Sequence, residues 1–155
     1  MPFSPSPSSV VVAPANPTAI TSAGGLMAGL GAAAAAFIIT PQVTGRILVL
    51  VTGDIVESAT AQTGTLQLRS GTGTAPANAA ALAGTTVGGA VSFTSLTGVL
   101  TVPFSLIAII TGLAVPSINS LGVTGAAVPV WLDLGCTSSA GSIQPTNLTC
   151  TAIEL

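Results

Sequence analysis

The chain has 155 residues, of which 4% are charged, and a net charge of −2. Average soluble proteins carry about 25% charged residues. With so few charges, this chain must keep its surface hydrated through hydroxyl and amide groups or bury that surface against partners. Two cationic side chains cannot form a basic patch for nucleic acid, and the absence of His, Tyr and Lys removes the usual general bases, Schiff-base amines and metal ligands. We therefore expect no enzyme activity, no cofactor, no metal and no nucleic-acid partner.

Two apolar windows, 23–39 and 99–116, raise the question of a membrane span. The first is mostly Ala and Gly, and the second contains Pro103. Neither is flanked by Lys or Arg that would orient it, and no Trp/Tyr belt lies at its ends. We expect no membrane partner, and a small membrane protein remains a minor alternative.

We expect residues 1–23 to form an extended N-terminal arm and residues 24–155 to form the folded domain. Proline at the density found here blocks helices and central strands and favours polyproline II. The arm is either a mobile terminus or a segment that becomes ordered on a neighbouring subunit. Its valines favour the second interpretation. The arm residues expected to bind a partner are Pro5, Pro7, Val10, Val11, Val12 and Pro14.

The alanine-rich stretch before Pro41 is ambiguous. Its alanines favour a helix, but glycines precede them and Thr40-Pro41 ends the stretch. A short helix over residues 26–36 is one solution. We favour an entry strand over residues 33–40.

The segment Arg46–Ile55 predicts the organising strand of the domain. Its continuous aliphatic run requires both faces of the strand to be buried. A single small sandwich buries one face in its core, so we expect the other face to be buried by another subunit. The residues expected at a subunit interface are Arg46, Leu48, Leu50 and Trp131. Asp54 and Glu57 follow within or just beyond this strand and are expected on a solvated rim rather than as an acid–base pair.

The rest of the chain predicts further short strands. Residues 64–71 alternate between apolar and polar side chains, which is typical of a half-buried strand. Further strands are expected at 90–94, 100–113, 128–134 and 148–155, with loops at 72–89 and 116–127. Short strands separated by Gly, Pro, Ser and Asn clusters are typical of an all-β sandwich or jelly roll.

The two cysteines, Cys136 and Cys150, flank a turn region. If their strands form a hairpin, the thiols lie within reach of a disulfide. The alternative is a pair of small buried apolar side chains, which the frequent burial of free cysteine favours.

Several segments together resemble small virion proteins encoded by tailed bacteriophages. The residues that carry the resemblance are Phe37–Pro41, Gly45–Val49, Leu66–Pro76, Gly84-Thr85, Val87-Gly88, Trp131–Leu134 and Thr151–Leu155. The chain departs from that group in its alanine run at 32–36 and in Cys136 and Cys150. The resemblance implies a jelly roll of the tumour necrosis factor or complement-C1q type, assembled as a homotrimer, with no catalytic residues.

The expected function is therefore that of a structural virion protein. The hypothesis is a trimeric decoration or cement protein on the outer surface of a phage capsid, with its arm on the major capsid protein. The alternative is a host-recognition fibre or spike tip that binds a surface glycan or protein.

Overall fold

The computed structural model describes residues 6–21, 25–34, 36–59, 61–95, 100–118 and 124–155. Strands dominate this part of the chain, and its one short helical element is a 3-10 turn at Leu30–Ala32. The strands are β1 (Ser9–Val12), β2 (Leu26–Met27), β3 (Ile38–Ile39), β4 (Ile47–Glu57), β5 (Thr63–Thr72), β6 (Thr85–Thr94), β7 (Leu100–Ile110), β8 (Ser117–Ile118), β9 (Thr124–Gly125), β10 (Val130–Ser138) and β11 (Ile143–Glu154).

Two antiparallel sheets enclose the core, which confirms the prediction of an all-β sandwich. Sheet I has the strand order β1-β11-β4-β7. Sheet II has the order β2-β10-β5-β6, with β3 also paired to β10, while β8 and β9 form a separate small hairpin. The core between the sheets is aliphatic and includes Ile47, Val49, Leu66, Leu132 and Leu134.

Strand β4 lies at the centre of sheet I between β11 and β7. Its inward residues Ile47, Val49, Val51 and Ile55 are fully buried, and the residues between them are half-buried. This alternation arises because successive side chains of a strand point to opposite faces. The continuous aliphatic run thus supplies the core on one side and an apolar outer surface on the other.

The alanine-rich stretch forms less strand than the sequence predicts. The expected strand over residues 33–40 is limited to Ile38–Ile39, and a 3-10 turn forms at Leu30–Ala32. The turn is held by a residue that is distant in sequence. The carboxylate of Asp133 accepts hydrogen bonds from the Gly29 and Leu30 amides. Gly29 also adopts a left-handed φ of 80°, which ends the extended backbone before the turn.

Strands β6, β10 and β11 are longer than predicted, whereas β7 ends three residues earlier than predicted, at Ile110. Strand β6 begins at Thr85, inside the expected 72–89 loop, and β8 and β9 lie inside the expected 116–127 loop. Strand β7 pairs with β4 in one continuous register that includes Pro103. Proline is tolerated there because β7 is the edge strand of sheet I, where its missing N–H faces no partner.

The two cysteines lie in different sheets. Cys136 belongs to β10 of sheet II and Cys150 to β11 of sheet I, so the hairpin that a disulfide would need does not form. Both thiols are free and buried. Burial, with a smaller contribution from the charge of Asp133, raises the pKa of Cys150 to about 12 and that of Cys136 still further.

Residues 8–20, which we call the strap, lie along β11 of their own chain. Strand β1 pairs with residues 150–153 of β11, and Ile20 pairs with Ile143 at the other end of that strand. Pro14 and Pro17 between them are buried. The segment predicted as an arm thus forms an edge of the sandwich in this structure, while its capsid-binding role stays a prediction.

Candidate protein-interaction face

An aliphatic face occupies one end of the outer surface of sheet I. Cross-strand pairing places Ile153, Leu48 and Ile109 in one row and Thr151, Leu50 and Ile107 in the next. Val11 of β1 lies beside Thr151 in the second row. We define the aliphatic face by its six apolar members, Val11, Leu48, Leu50, Ile107, Ile109 and Ile153.

The aliphatic face is open in the isolated chain. Val11 is 67% exposed, Ile107 65%, Ile109 52% and Ile153 42%. Single exposed aliphatic residues are normal on protein surfaces, but a contiguous group of them marks an interaction site. The predicted interface residues Leu48 and Leu50 lie at its centre and are half-buried.

Polar residues border the aliphatic face along the strands. Thr149, Thr52 and Ser105 form the next row. Beyond them Asp54 accepts a hydrogen bond of 2.9 Å from the side-chain amide of Asn147. Arg46 is exposed directly before β4, at the opposite end. The face is therefore apolar in the middle and polar at its ends, as protein interfaces commonly are.

The outer face of sheet II has a different chemistry. Hydroxyl groups pair across β5 and β6, with 3.4 Å between the side-chain oxygens of Thr63 and Thr94 and 3.1 Å between those of Thr65 and Ser92. These hydroxyls are suited to contact with water. Sheet I therefore presents the more apolar of the two outer faces of the sandwich.

Trp131 does not belong to the aliphatic face, although the sequence predicts it at a subunit interface. Its side chain is 4% exposed and packs against Gly71 of β5 and Gly84 in the loop before β6. The indole N–H donates to the Thr72 carbonyl at 3.3 Å. Trp131 is thus covered by residues of its own chain, and its role at a subunit interface stays a prediction.

Glu57 is buried, contrary to the prediction of a solvated rim. It is the last residue of β4 and is 0% exposed. Neither carboxylate oxygen accepts a hydrogen bond from the described residues. Burial raises the pKa of this carboxyl, and the nearby Gly64 amide lowers it by less.

Two other acidic residues act as structural acceptors that the sequence analysis missed. Asp133 accepts hydrogen bonds from the amides of Gly29, Leu30 and Leu134, at 2.7–3.0 Å. Burial raises its pKa to about 6, and the three amides oppose that shift. The available signal was a lone carboxylate inside the apolar run of β10, since buried charges are normally hydrogen-bonded.

Glu154 joins the end of β11 to two other segments. Its carboxylate accepts backbone hydrogen bonds of 2.7–3.1 Å from Ser8, Gln42, Val43, Thr44 and Gly45. Burial alone would raise its pKa, but the surrounding amides lower it to about 2. The carboxylate thus fixes the start of the strap and the turn before β4.

The described residues contain no group of three or more His, Cys, Asp or Glu side chains that could hold a metal ion. A cleft of about 340 Å³ between the strap and the 3-10 turn is lined largely by alanine, together with residues such as Pro17 and Asn78. Across the described ranges, no helix is long and apolar enough to cross a membrane.

Comparisons with known proteins include a distant likeness to a chain from a viral structure. No family model matches the sequence, and no curated protein matches it. A chain in the structure of infectious bursal disease virus Gx strain is 17% identical, with a TM-score of 0.45, over 97% of this chain and 34% of that chain. The present chain thus spans about a third of that viral chain. A likeness of this degree says nothing about what the chain binds.

Proposed function

We propose that the chain is a structural protein of a virus particle, which buries its aliphatic face against other protein subunits. The aliphatic face is the observation that carries this proposal. Six clustered aliphatic side chains on a sandwich with almost no charge favour a permanent partner, because burial of apolar surface stabilises by about 25 cal/mol per Å². The resemblance of several segments to small phage virion proteins supports the same role.

Sheet I offers most of the area of a stable interface. Strands β4, β7 and β11 have 11 or 12 residues each, whereas β1 has four. Strands about 4.8 Å apart that rise about 3.3 Å per residue then give a face of roughly 600 Å². A standard interface buries about 800 Å² per partner. The outer face of sheet I would thus form the larger part of such an interface.

The finer proposal is a homotrimeric decoration or cement protein on the outer surface of a capsid. Leu48 and Leu50 would lie in the subunit interface, with Arg46 at its rim. Non-enzymatic burial of surface is the whole mechanism, with no substrate and no cofactor.

The second proposed partner is the major capsid protein, bound through the N-terminal segment. Pro7 is exposed and available to it, whereas Val11 belongs to the aliphatic face, Pro14 is buried, and Val10 and Val12 are half-buried against their own sandwich. Pro5 lies outside the described residues. Deleting residues 1–7 should therefore weaken capsid binding while β1 stays paired.

Counting copies in purified particles tests the proposal. A quantitative gel of purified virions, calibrated on the major capsid protein, should show hundreds of copies of this chain per particle. A few copies per particle would favour the host-recognition tip instead. Absence from particles would contradict a virion role altogether.

A further inference from the structure

We propose that the strap exchanges between subunits, so that the strap of each chain pairs with β11 of a neighbouring copy. This inference rests on the proposed self-association, because exchange requires a second copy. The site is the outer edge of β11, and its ligand is residues 8–20 of another chain.

The strap forms a much shorter ladder than the other strands of sheet I. Strand β1 has four residues, whereas β4 has 11 and β11 has 12. The inward side chains Val10 and Val12 are only partly buried against the core. Short edge strands with little burial open at lower free energy than the global unfolding of the protein.

The remainder of the strap is held by a pair of backbone hydrogen bonds between Ile20 and Ile143, by the buried Ile20 side chain, and by two side-chain bonds. Pro14 and Pro17 have no N–H and cannot continue a ladder. The side-chain amide of Gln144 donates to the Pro17 carbonyl at 2.9 Å, and the Asn147 amide donates to Oδ1 of Asn16 at 3.0 Å. A strap from an identical chain could make each of these bonds unchanged.

The strap borders the aliphatic face. Val11 is a member of that face and stands directly opposite Thr151. A neighbour that packs on the face therefore comes close to the strap and to the edge of β11. An exchanged strap makes the same contacts as a strap that pairs with its own chain. Exchange is therefore a low-cost route to an oligomer.

Exchange also fits a trimer. A strap that reaches from one chain to β11 of the next makes a head-to-tail contact, and such contacts close into a ring when the rotation allows it. Three chains would then each give one strap and receive one.

A variant that carries both Val11→Cys and Thr151→Cys distinguishes strap exchange from pairing within one chain. Its disulfide links two chains if the strap is exchanged and stays within one chain if the strap pairs with its own β11. The Glu154 amide donates to the Ser8 carbonyl at 2.8 Å, which marks these two as a hydrogen-bonded pair. Three residues further along, Val11 and Thr151 form a non-hydrogen-bonded pair, whose side chains approach more closely. The pair Ser9→Cys with Ile153→Cys has the same geometry and serves as a second variant if the first fails to fold.

The matched control is Thr65→Cys with Ser92→Cys, a directly opposed pair on sheet II. Each oxidised variant is sized under native conditions and then run on a non-reducing denaturing gel. We expect native oligomers from the wild-type chain and the control, covalent oligomers from both strap variants on the denaturing gel, and single chains from the control on that gel. If the protein is oligomeric under native conditions but the oxidised strap variants run as single chains on the denaturing gel, exchange is overturned and self-association is not. Native monomers of the wild-type chain would overturn exchange together with the proposed self-association.

Discussion

Leu50 of β4 and Ile107 of β7 stand directly opposite each other on the outer face of sheet I. Two residues along each strand, Leu48 and Ile109 form the same kind of pair. These four side chains make up most of the aliphatic face. Their cross-strand contacts stabilise the sheet, while their exposed surfaces remain free to pack against a second protein.

Ile107→Asp should break the assembly and spare the fold. Ile107 is largely exposed, so its replacement should lower the free energy of unfolding of the monomer by only about 1 kcal/mol, through the lost contact with Leu50 and the low strand propensity of Asp. A charge within an apolar interface must be desolvated, so the association constant should fall by at least about tenfold, or about 1.4 kcal/mol. Sedimentation equilibrium measures this constant. Thr65→Asp on sheet II is the control and should associate as the wild-type chain does.

Glu154→Gln should remove an acid-dependent part of the stability. Because surrounding amides lower the pKa of Glu154 from its usual 4.5 to about 2, its contribution is complete above pH 4.5 and is lost as the pH falls towards 2. The variant should be less stable than the wild-type chain at pH 7, and this difference should shrink below pH 4.5. Urea unfolding at a series of pH values measures the effect. A difference that does not change with pH would contradict this role of the carboxylate.

Glu57→Gln should have the opposite pH dependence. Burial raises the pKa of Glu57 above its usual 4.5, so folding favours the protonated form and the wild-type chain loses stability as the pH rises above 4.5. The variant cannot ionise, and its stability relative to the wild-type chain should increase over that range. The same urea series measures it. If the variant is less stable at every pH, the carboxylate has a partner outside the described residues.

Gly84→Ala should destabilise the chain by about 3 kcal/mol. Gly84 has a φ of +70°, and an added Cβ would lie 2.3 Å from the Trp131 ring and 2.4 Å from the Ser70 carbonyl oxygen. Strain of about 1 kcal/mol from the positive φ adds to that overlap. Gly73→Ala is the matched control, because Gly73 has a φ of +78° with nothing within 4 Å of the added Cβ. Chemical denaturation should show a loss of only about 1 kcal/mol for the control.

Local sequence patterns predicted the strands with regular periodicity. The alternation from Leu66 to Arg69 predicted β5, and the aliphatic run after Arg46 predicted β4. The run also indicated that Leu48 and Leu50 point away from the core, because a strand of a single sandwich buries only one of its faces in that core. These features depend on neighbouring residues and can be read without knowledge of the pairing.

The features missed by sequence analysis depend on contacts between distant residues. Asp133 fixes the 3-10 turn about a hundred residues earlier, which the alanine run could not indicate. Strands β10 and β11 are adjacent in sequence, but the chain crosses between sheets at the turn that joins them. The placement of the strap on β11 and the burial of Trp131 likewise follow from tertiary packing.

The molar mass of the wild-type chain in solution tests the central claim most directly. Light scattering over a dilution series in detergent-free buffer compares the particle with the 14.9 kDa single chain. Assembly through the aliphatic face predicts a mass about three times that of the single chain, retained at micromolar concentration. A mass of one chain at every concentration would contradict the account.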